Sequence, residues 1–328
     1  MRKNLTYLFA VLCIVSFFTA CSKDDESDAS GGVSGTYDNS KNLTLKMGEV
    51  TIPVGGKSVT IEATSAEKAS VTLTNVIPES KTVVINADLK KVDGVTTLTG
   101  SATVGECGVF INGTVKDGIA SILYQRELSS PVVGTWNLKA GAGAIYMNIV
   151  TGNPSIDKQL GMVSSLISGL IWTKVSDVTV YLPKNGSFAV TWRKQGESED
   201  TNLGAVMSMF GIQYCVVDGR FIVAIDKNYI DTVIGLAGPK LQEMGIPVEE
   251  IMKMLVDLGG YYGLPLSMKQ DGNEVTMYVD KSMVVPILTM AAPIIKPMVP
   301  TDYQILFDLA LQLLPSAKSL DFGLVLTK

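Results

Sequence analysis

The residues that could carry out chemistry are few, because the chain of 328 residues contains no histidine. Serine or cysteine nucleophiles paired with histidine are therefore excluded, and so are histidine general bases and the His-Glu-x-x-His zinc motif. Away from the amino terminus, the only cysteines are Cys107 and Cys215. Two cysteines alone cannot form a structural zinc site, which takes four cysteine or histidine ligands. We expect neither a metal nor a cofactor.

Two short motifs could bind phosphate or hydrolyse a glycoside, but each has a simpler explanation. Val54-Gly55-Gly56-Lys57-Ser58 imitates the end of a phosphate-binding loop, yet Thr51 stands where that loop needs a glycine. We expect a hairpin turn there. Glu197, Glu199 and Asp200 could supply the two carboxylates of a glycosidase. They lie in a polar segment, which is typical of a solvated loop.

The amino terminus is predicted to be a signal peptide. Two basic residues precede a nearly unbroken apolar run over residues 5–18, shorter than the roughly 20 residues that cross a bilayer. The next residues, Phe18-Thr19-Ala20-Cys21, resemble the lipobox of bacterial lipoproteins. That resemblance implies cleavage after residue 20 and attachment to a membrane by lipid on Cys21. The alternative is a secreted protein with an unrelated cysteine.

Residues 21–33 are predicted to form an acidic tether, since they carry too little apolar surface to fold. Lys23-Asp24-Asp25-Glu26 resembles the export signal of Bacteroidota surface lipoproteins. The resemblance implies an outer-membrane protein that faces outwards from the cell surface. The alternative is a solvated spacer with no signalling role.

The charge balance argues against nucleic acid as a partner. The chain has 27 Lys+Arg and 32 Asp+Glu, for a net charge of −5. Cleavage after residue 20 removes two basic residues, so 25 basic residues face 32 acidic residues and the net charge becomes −7. An acidic chain without a basic patch has no electrostatic footprint for a phosphate backbone.

The composition divides the chain into two predicted domains, at residues 34–130 and 131–328. In the first, apolar and polar residues alternate in short consecutive segments, as from Val59 to Ala63 and from Val109 to Gly113. Lys116-Asp117-Gly118 predicts a tight hairpin turn, because Asp and Gly tolerate positive φ. Consecutive antiparallel strands of this kind favour an all-β barrel or sandwich.

Both predicted domains open with the same pattern, Gly35-Thr36-Tyr37 in the first and Gly134-Thr135-Trp136 in the second. The recurrence indicates two related modules in tandem. The second copy resembles the Gly-x-Trp opening of lipocalins and other calycins, and the first domain resembles the calycin-like modules of Bacteroidota lipoproteins. The resemblance implies a β-barrel that Trp136 plugs at one end. Lipocalins stack an arginine from the last strand on this tryptophan, and Phe322 to Thr327 contains none.

The second domain is predicted to be α+β, with a curved antiparallel sheet and apolar helices. Hairpins are indicated by Lys184-Asn185-Gly186, Asp218-Gly219 and Asp271-Gly272-Asn273. Apolar residues at helical spacing predict four helices. They run over residues 156–171 after the capping pair Asn153-Pro154, over 248–258, over 283–299, and onwards from Thr301.

The predicted helix over residues 283–299 is apolar around most of its circumference, which is typical of a buried helix. It could fill the core of the second domain or line a cleft for a lipid-like or steroid-like ligand. On the second interpretation, the helical residues expected to bind the ligand are Met283, Ile287, Leu288, Ile294, Leu166 and Leu170.

The sequence thus predicts a non-enzymatic binding protein, anchored to the outer membrane through Cys21, with an apolar small molecule as its ligand. The alternative is a structural or interaction component of the cell envelope, such as an accessory to nutrient capture. Beyond the membrane and this ligand, the sequence names no partner.

Overall fold

The computed structural model describes residues 32–243, 248–296 and 301–328. Within these ranges the chain is mostly antiparallel β, as predicted, with few helices. Its strands form two sheets, one on each side of residues 129–133.

The first sheet is curled. Its nine strands have the order β1-β4-β5-β6-β7-β8-β9-β2-β3, and only β2 and β9 pair in parallel. Residues 53–57 connect β3, at one edge, to β4 near the other edge. Five linking residues span at most about 20 Å, so the two edges must approach each other. The strands are β1 (Gly35–Tyr37), β2 (Leu43–Met47), β3 (Val50–Ile52), β4 (Ser58–Ala63), β5 (Lys68–Ile77), β6 (Ser80–Val92), β7 (Val95–Val104), β8 (Cys107–Lys116) and β9 (Ile119–Leu128).

The second sheet also curves back on itself. Its main path is β14-β13-β12-β10-β20-β19-β18-β16-β15, while β11 pairs with β20 and β17 with β18. An isolated bridge from Ser187 to Gln213 joins the β12–β13 connection to the edge strand β15. The strands are β10 (Gly134–Leu138), β11 (Ile145–Val150), β12 (Val175–Leu182), β13 (Ala189–Lys194), β14 (Thr201–Asn202), β15 (Gln213–Val217), β16 (Arg220–Asp226), β17 (Val256–Asp257), β18 (Tyr261–Asp271), β19 (Glu274–Asp280) and β20 (Ser319–Thr327).

The described helices all follow the first sheet along the chain. The longest begins as predicted, because the Asn153 side chain accepts hydrogen bonds from the backbone N–H groups of Ser155 and Ile156. It packs against β11, and its buried Ser168 hydroxyl accepts a bond from Ile145 N (3.1 Å). The helices are α1 (Pro154–Lys174), α2 (Gly204–Met209), α3 (Lys227–Glu243), α4 (Val248–Lys253), α5 (Lys281–Ile295) and α6 (Thr301–Leu313).

The turn chemistry predicted the hairpins well, with one correction. Asp117 (φ 49°) and Gly118 (φ 74°) form the β8–β9 turn, and the three turns predicted in the second half join β12 to β13, β15 to β16, and β18 to β19. Residues 54–58, however, do not close a hairpin, because β3 pairs with β2 while β4 pairs with β1 and β5.

One predicted helix is shorter than its pattern indicated. The apolar spacing predicted a helix from Val248 to Leu258, but α4 ends at Lys253. Residues 256–257 instead form β17, in which Val256 pairs with Gly263 of β18. The glycine leaves room for the branched valine, so sheet pairing prevails over helical periodicity there.

The two glycine-threonine-aromatic openings adopt the same local geometry. The Tyr37 hydroxyl donates to the Val33 carbonyl at 2.9 Å, and Trp136 Nε1 donates to the Val132 carbonyl at 2.6 Å. All four side chains are buried. Each copy therefore begins its sheet by fixing a buried aromatic ring to the carbonyl four residues earlier.

One hydrophobic cluster runs through both sheets. It includes Val71, Leu98 and Tyr124 from the first sheet and Trp136 and Phe221 from the second. A smaller cluster lies under α5 and around Leu314. Because the main cluster is continuous, the division into two domains stays a prediction.

Candidate functional site: a cleft between the two sheets

A cleft of about 820 Å³ lies where the two halves of the chain meet. Ligand pockets typically enclose about 300–1,000 Å³, so the cleft has the size of a small-molecule site. Its walls are more apolar than polar. The apolar side chains that line it are Met47, Val50, Ile52, Phe110, Phe188, Ala189 and Ile212, and the neutral polar ones are Gln125, Asn185, Ser187, Ser208 and Gln213.

The first sheet opens the cleft because its strands differ in length. β2 pairs with β9 only as far as Met47 and Tyr124, whereas β9 continues to Leu128. The last residues of β9 therefore pass along the cleft, beyond the end of β2. On β8, Phe110 pairs with Gln125 and exposes 43% of its surface, which gives the cleft an aromatic wall.

The second half contributes the β12–β13 turn. The Lys184 carbonyl accepts a hydrogen bond from Leu128 N, and the Gly186 carbonyl accepts one from Tyr214 N, both at 2.8 Å. Gly186 has a φ of 76°, and a Cβ there would lie 2.2 Å from Arg126 Nη1. Only glycine allows this turn to lie directly on the guanidinium group.

A buried ionic cluster forms the floor beside the cleft. Arg126 is paired with Glu79, and it also donates to Gln213 Oε1 (2.7 Å) and to the Tyr214 carbonyl (2.9 Å). Burial lowers the pKa of the Arg126 guanidinium, but the charge of Glu79, the hydrogen bond to it and the neighbouring Cys107 and Cys215 together outweigh this effect. The net shift raises the pKa, so Arg126 remains a cation held between the two sheets.

The two cysteines lie beside this cluster and are free and buried. Burial raises the pKa of the Cys107 thiol to about 11 and that of the Cys215 thiol to about 12. Both are therefore protonated at neutral pH. Since the thiolate is the nucleophile, neither cysteine is poised for catalysis.

A second buried ion pair joins the sheets at Lys57, the lysine of the motif that imitates a phosphate-binding loop. Its Nζ lies 2.8 Å from Asp226 Oδ2, and its side chain is fully buried. Asp226 Oδ1 accepts two bonds from Asn228, whose amide also donates to the Gly55 carbonyl (3.0 Å). The motif thus links the β3–β4 connection to the second sheet.

The predicted ligand-binding residues are dispersed. Met283 is buried and lines a smaller cavity of about 390 Å³ beside β19, while Leu288 packs into the smaller hydrophobic cluster. Ile287 and Leu170 are exposed. None of these four lines the larger cleft. Cys21 and the side chains of Leu166 and Ile294 lie outside the described residues.

Two of the three clustered carboxylates lie in exposed ion pairs. Glu197 is paired with Lys194 and Asp200 with Arg193. Among the described residues, no group of three acidic or cysteine side chains could hold a metal ion. In the same part of the chain, no helix is both long and apolar enough to cross a bilayer.

Sequence reasoning overlooked the polar residues of the interface between the sheets, although a signal was present. On β9, the buried positions are Ala120, Ile122, Tyr124, Arg126 and Leu128. A charged residue in register with an apolar face must be paired within the fold. The position of Arg126 on the buried face of β9 shows that this residue needs a partner. It does not identify Glu79 and Gln213 as the partners.

Comparisons with known proteins found no relative of this chain. No family model matches the chain, and no match was found among the curated proteins or among the solved structures. The function must therefore be argued from the sequence and the geometry of this chain.

Proposed function

We propose that this chain is a membrane-anchored surface lipoprotein that binds a small molecule with an apolar part, without catalysing a reaction. The observation that carries the proposal is the cleft of about 820 Å³ between the two sheets, with its aromatic and aliphatic walls. In this proposal the ligand lies between Phe110 and Phe188, and not along α1 and α5, where the apolar helical pattern predicted it.

The absence of histidine supports binding over catalysis. The whole chain lacks this general base. The carboxylates that line the cleft belong to Glu49 and Glu127, both exposed, and exposed acidic side chains are ordinarily solvated surface groups. The thiols near the cleft are protonated. The carboxylates and thiols at the cleft are therefore better suited to contacting a bound ligand than to catalysing a reaction.

A calycin-like architecture is part of the proposal. Each sheet is curled, and each begins with a buried aromatic side chain that donates to the carbonyl four residues earlier. The cation expected on the last strand of a lipocalin has a counterpart one residue beyond β20, since Lys328 Nζ lies 4.6 Å from the centre of the Trp136 ring. A lysine over the tryptophan face supplies the same cation–π attraction as an arginine.

The binding proposal is tested by filling the cleft. Ser208 on α2 is exposed and lines the cleft, whereas Val206 on the same helix is exposed and does not. We expect Ser208→Trp to weaken binding of an apolar fluorescent dye by at least about tenfold, because the indole occupies the cleft. Val206→Trp should bind like the wild type in the same titration.

Thermal unfolding gives an independent readout of the same prediction. A ligand at 100 times its Kd stabilises the folded state by about 2.7 kcal/mol, and this gain should disappear in Ser208→Trp alone. If the two tryptophan variants bind the dye equally well, the cleft is not the binding site.

Anchoring at the surface rests on the amino-terminal sequence. We expect Cys21→Ala to release the protein into the soluble fraction, since the variant lacks the cysteine that carries the lipid. Cell fractionation measures this, with Cys13→Ala, inside the apolar run, as the matched control. Retention of the Cys21 variant in the membrane would contradict the lipid anchor. Protease treatment of intact cells then tests whether the protein faces outwards.

The second candidate is an interaction component of the cell envelope. It is favoured by large apolar side chains exposed on the helices, notably Met162 (62%) and Ile305 (78%). Such side chains are compatible with a protein partner. Failure of every small-molecule probe would favour this candidate over the first.

A further inference from the structure

We propose that the ligand of the cleft is an uncharged amphiphile, with hydroxyl or carbonyl oxygens at its polar end. This inference rests on the proposed binding function and narrows it to a class of ligand. Three features of the cleft carry it: its charges, its buried donors and its neutral rim.

The charges of the cleft leave no free cation for an anionic head group. Of the two basic residues that line it, Arg126 is paired with the buried Glu79 and Lys184 is paired with Glu127. Within the described residues, the cleft-lining Glu49 forms no ion pair. A fatty-acid carboxylate entering the cleft would therefore find no unpaired cation among these described residues to bind it, and it would be repelled by the unpaired carboxylate of Glu49.

Two buried hydrogen-bond donors beside the cleft, one on Arg126 and one on Gln213, have no acceptor in the part of the chain that the structure describes. Arg126 and Gln213 both line the cleft and are almost fully buried. Among the described residues, Arg126 Nε and Gln213 Nε2 have no hydrogen-bond acceptor. Neither atom contacts solvent in this structure, so a ligand oxygen in the cleft reaches the Gln213 amide only when that side chain shifts towards it. An unpaired buried donor is costly, and a neutral oxygen relieves that cost without adding a charge.

The rim matches a neutral polar group. Besides Gln213, the polar uncharged side chains that line the cleft are Gln125, Asn185, Ser187 and Ser208. Hydroxyls and amides both donate and accept, so they suit a glycerol, sugar or amide head group. The apolar tail would then lie along Met47, Phe110 and Ile212.

The experiment compares three probes with the same dodecyl-length chain: monododecanoylglycerol, dodecanoate and dodecyltrimethylammonium, each below its micelle concentration at pH 8. We expect the neutral probe to bind at least about tenfold more tightly than either charged one. Gln213→Glu retains the Oε1 acceptor for Arg126 but removes the Nε2 donor. It should weaken binding of the neutral probe by about tenfold, the effect of one hydrogen bond.

Gln195→Glu is the matched control, because Gln195 is exposed and does not line the cleft. It adds the same charge and should change binding of the neutral probe by less than about threefold. The inference is overturned if a charged probe binds as tightly as the neutral one, or if Gln213→Glu binds the neutral probe unchanged. If these results occur while Ser208→Trp still blocks binding, the cleft stands and only the ligand class is wrong. If no probe binds and Ser208→Trp has no effect, the binding function itself fails.

Discussion

Replacing Lys57 with methionine is expected to lower the free energy of unfolding by about 3–5 kcal/mol, because it leaves the buried Asp226 carboxylate without its cation. Lys57 also lies over the Tyr261 ring, 5.2 Å from its centre, so the substitution removes a cation–π contact as well. Urea denaturation followed by tryptophan fluorescence measures the change. Lys46→Met is the control, since Lys46 is exposed on β2, and it should shift stability by less than about 0.5 kcal/mol.

The double variant Lys57→Met, Asp226→Asn separates lost charge from lost packing. Asn at position 226 removes the unpaired charge and keeps an oxygen for the Asn228 backbone N–H. We expect it to recover much of the stability that the single variant loses, because buried pairs are often replaceable by neutral groups. If Lys57→Met is as stable as Lys46→Met, the ion pair does not hold the sheets together.

The features that the sequence predicted are those set by neighbouring residues. The turn at Asp117 and Gly118 follows from residues that tolerate positive φ, and the α1 cap follows from an asparagine before a proline. In the same way, the alternation from Val109 to Gly113 predicted the strand that is found as β8. Each of these signals lies within a few residues, so it can be interpreted without knowing where the rest of the chain goes.

The features that it did not predict depend on long-range contacts. Lys57 was dismissed as part of a hairpin turn, since nothing in its neighbourhood shows that Asp226, 169 residues later, would pair with it. The parallel pairing of β2 with β9 is equally hidden, and it is this pairing that ends early and opens the cleft. The candidate site was sought on the helices because their apolar pattern is local, while the cleft arises only where two sheets meet.

Arg126→Met is expected to destabilise the protein by about 3–5 kcal/mol, and its effect should extend to the cleft where we propose that the ligand binds. The substitution leaves the Glu79 carboxylate buried without a cation, and the Gln213 oxygen and Tyr214 carbonyl each lose a donor. Because Glu79 and Arg126 belong to the first half and the other two groups to the second, the variant weakens the contact between the sheets.

Two further variants distinguish the roles of Arg126. Arg193→Met removes an arginine whose pair with Asp200 is partly exposed, so it should change stability far less than Arg126→Met does. Arg126→Lys keeps the charge beside Glu79. A lysine lacks the planar guanidinium group, however, so it cannot hold Glu79, Gln213 and the Tyr214 carbonyl with the same geometry. We expect it to regain part of the stability while ligand binding stays weakened, because the amide of Gln213 loses its fixed position. Denaturation and dye titration of the three variants measure both effects. Equal stability of Arg126→Met and Arg193→Met would show that the buried cluster does not join the sheets, whereas wild-type binding by Arg126→Lys would show that the guanidinium does not shape the cleft.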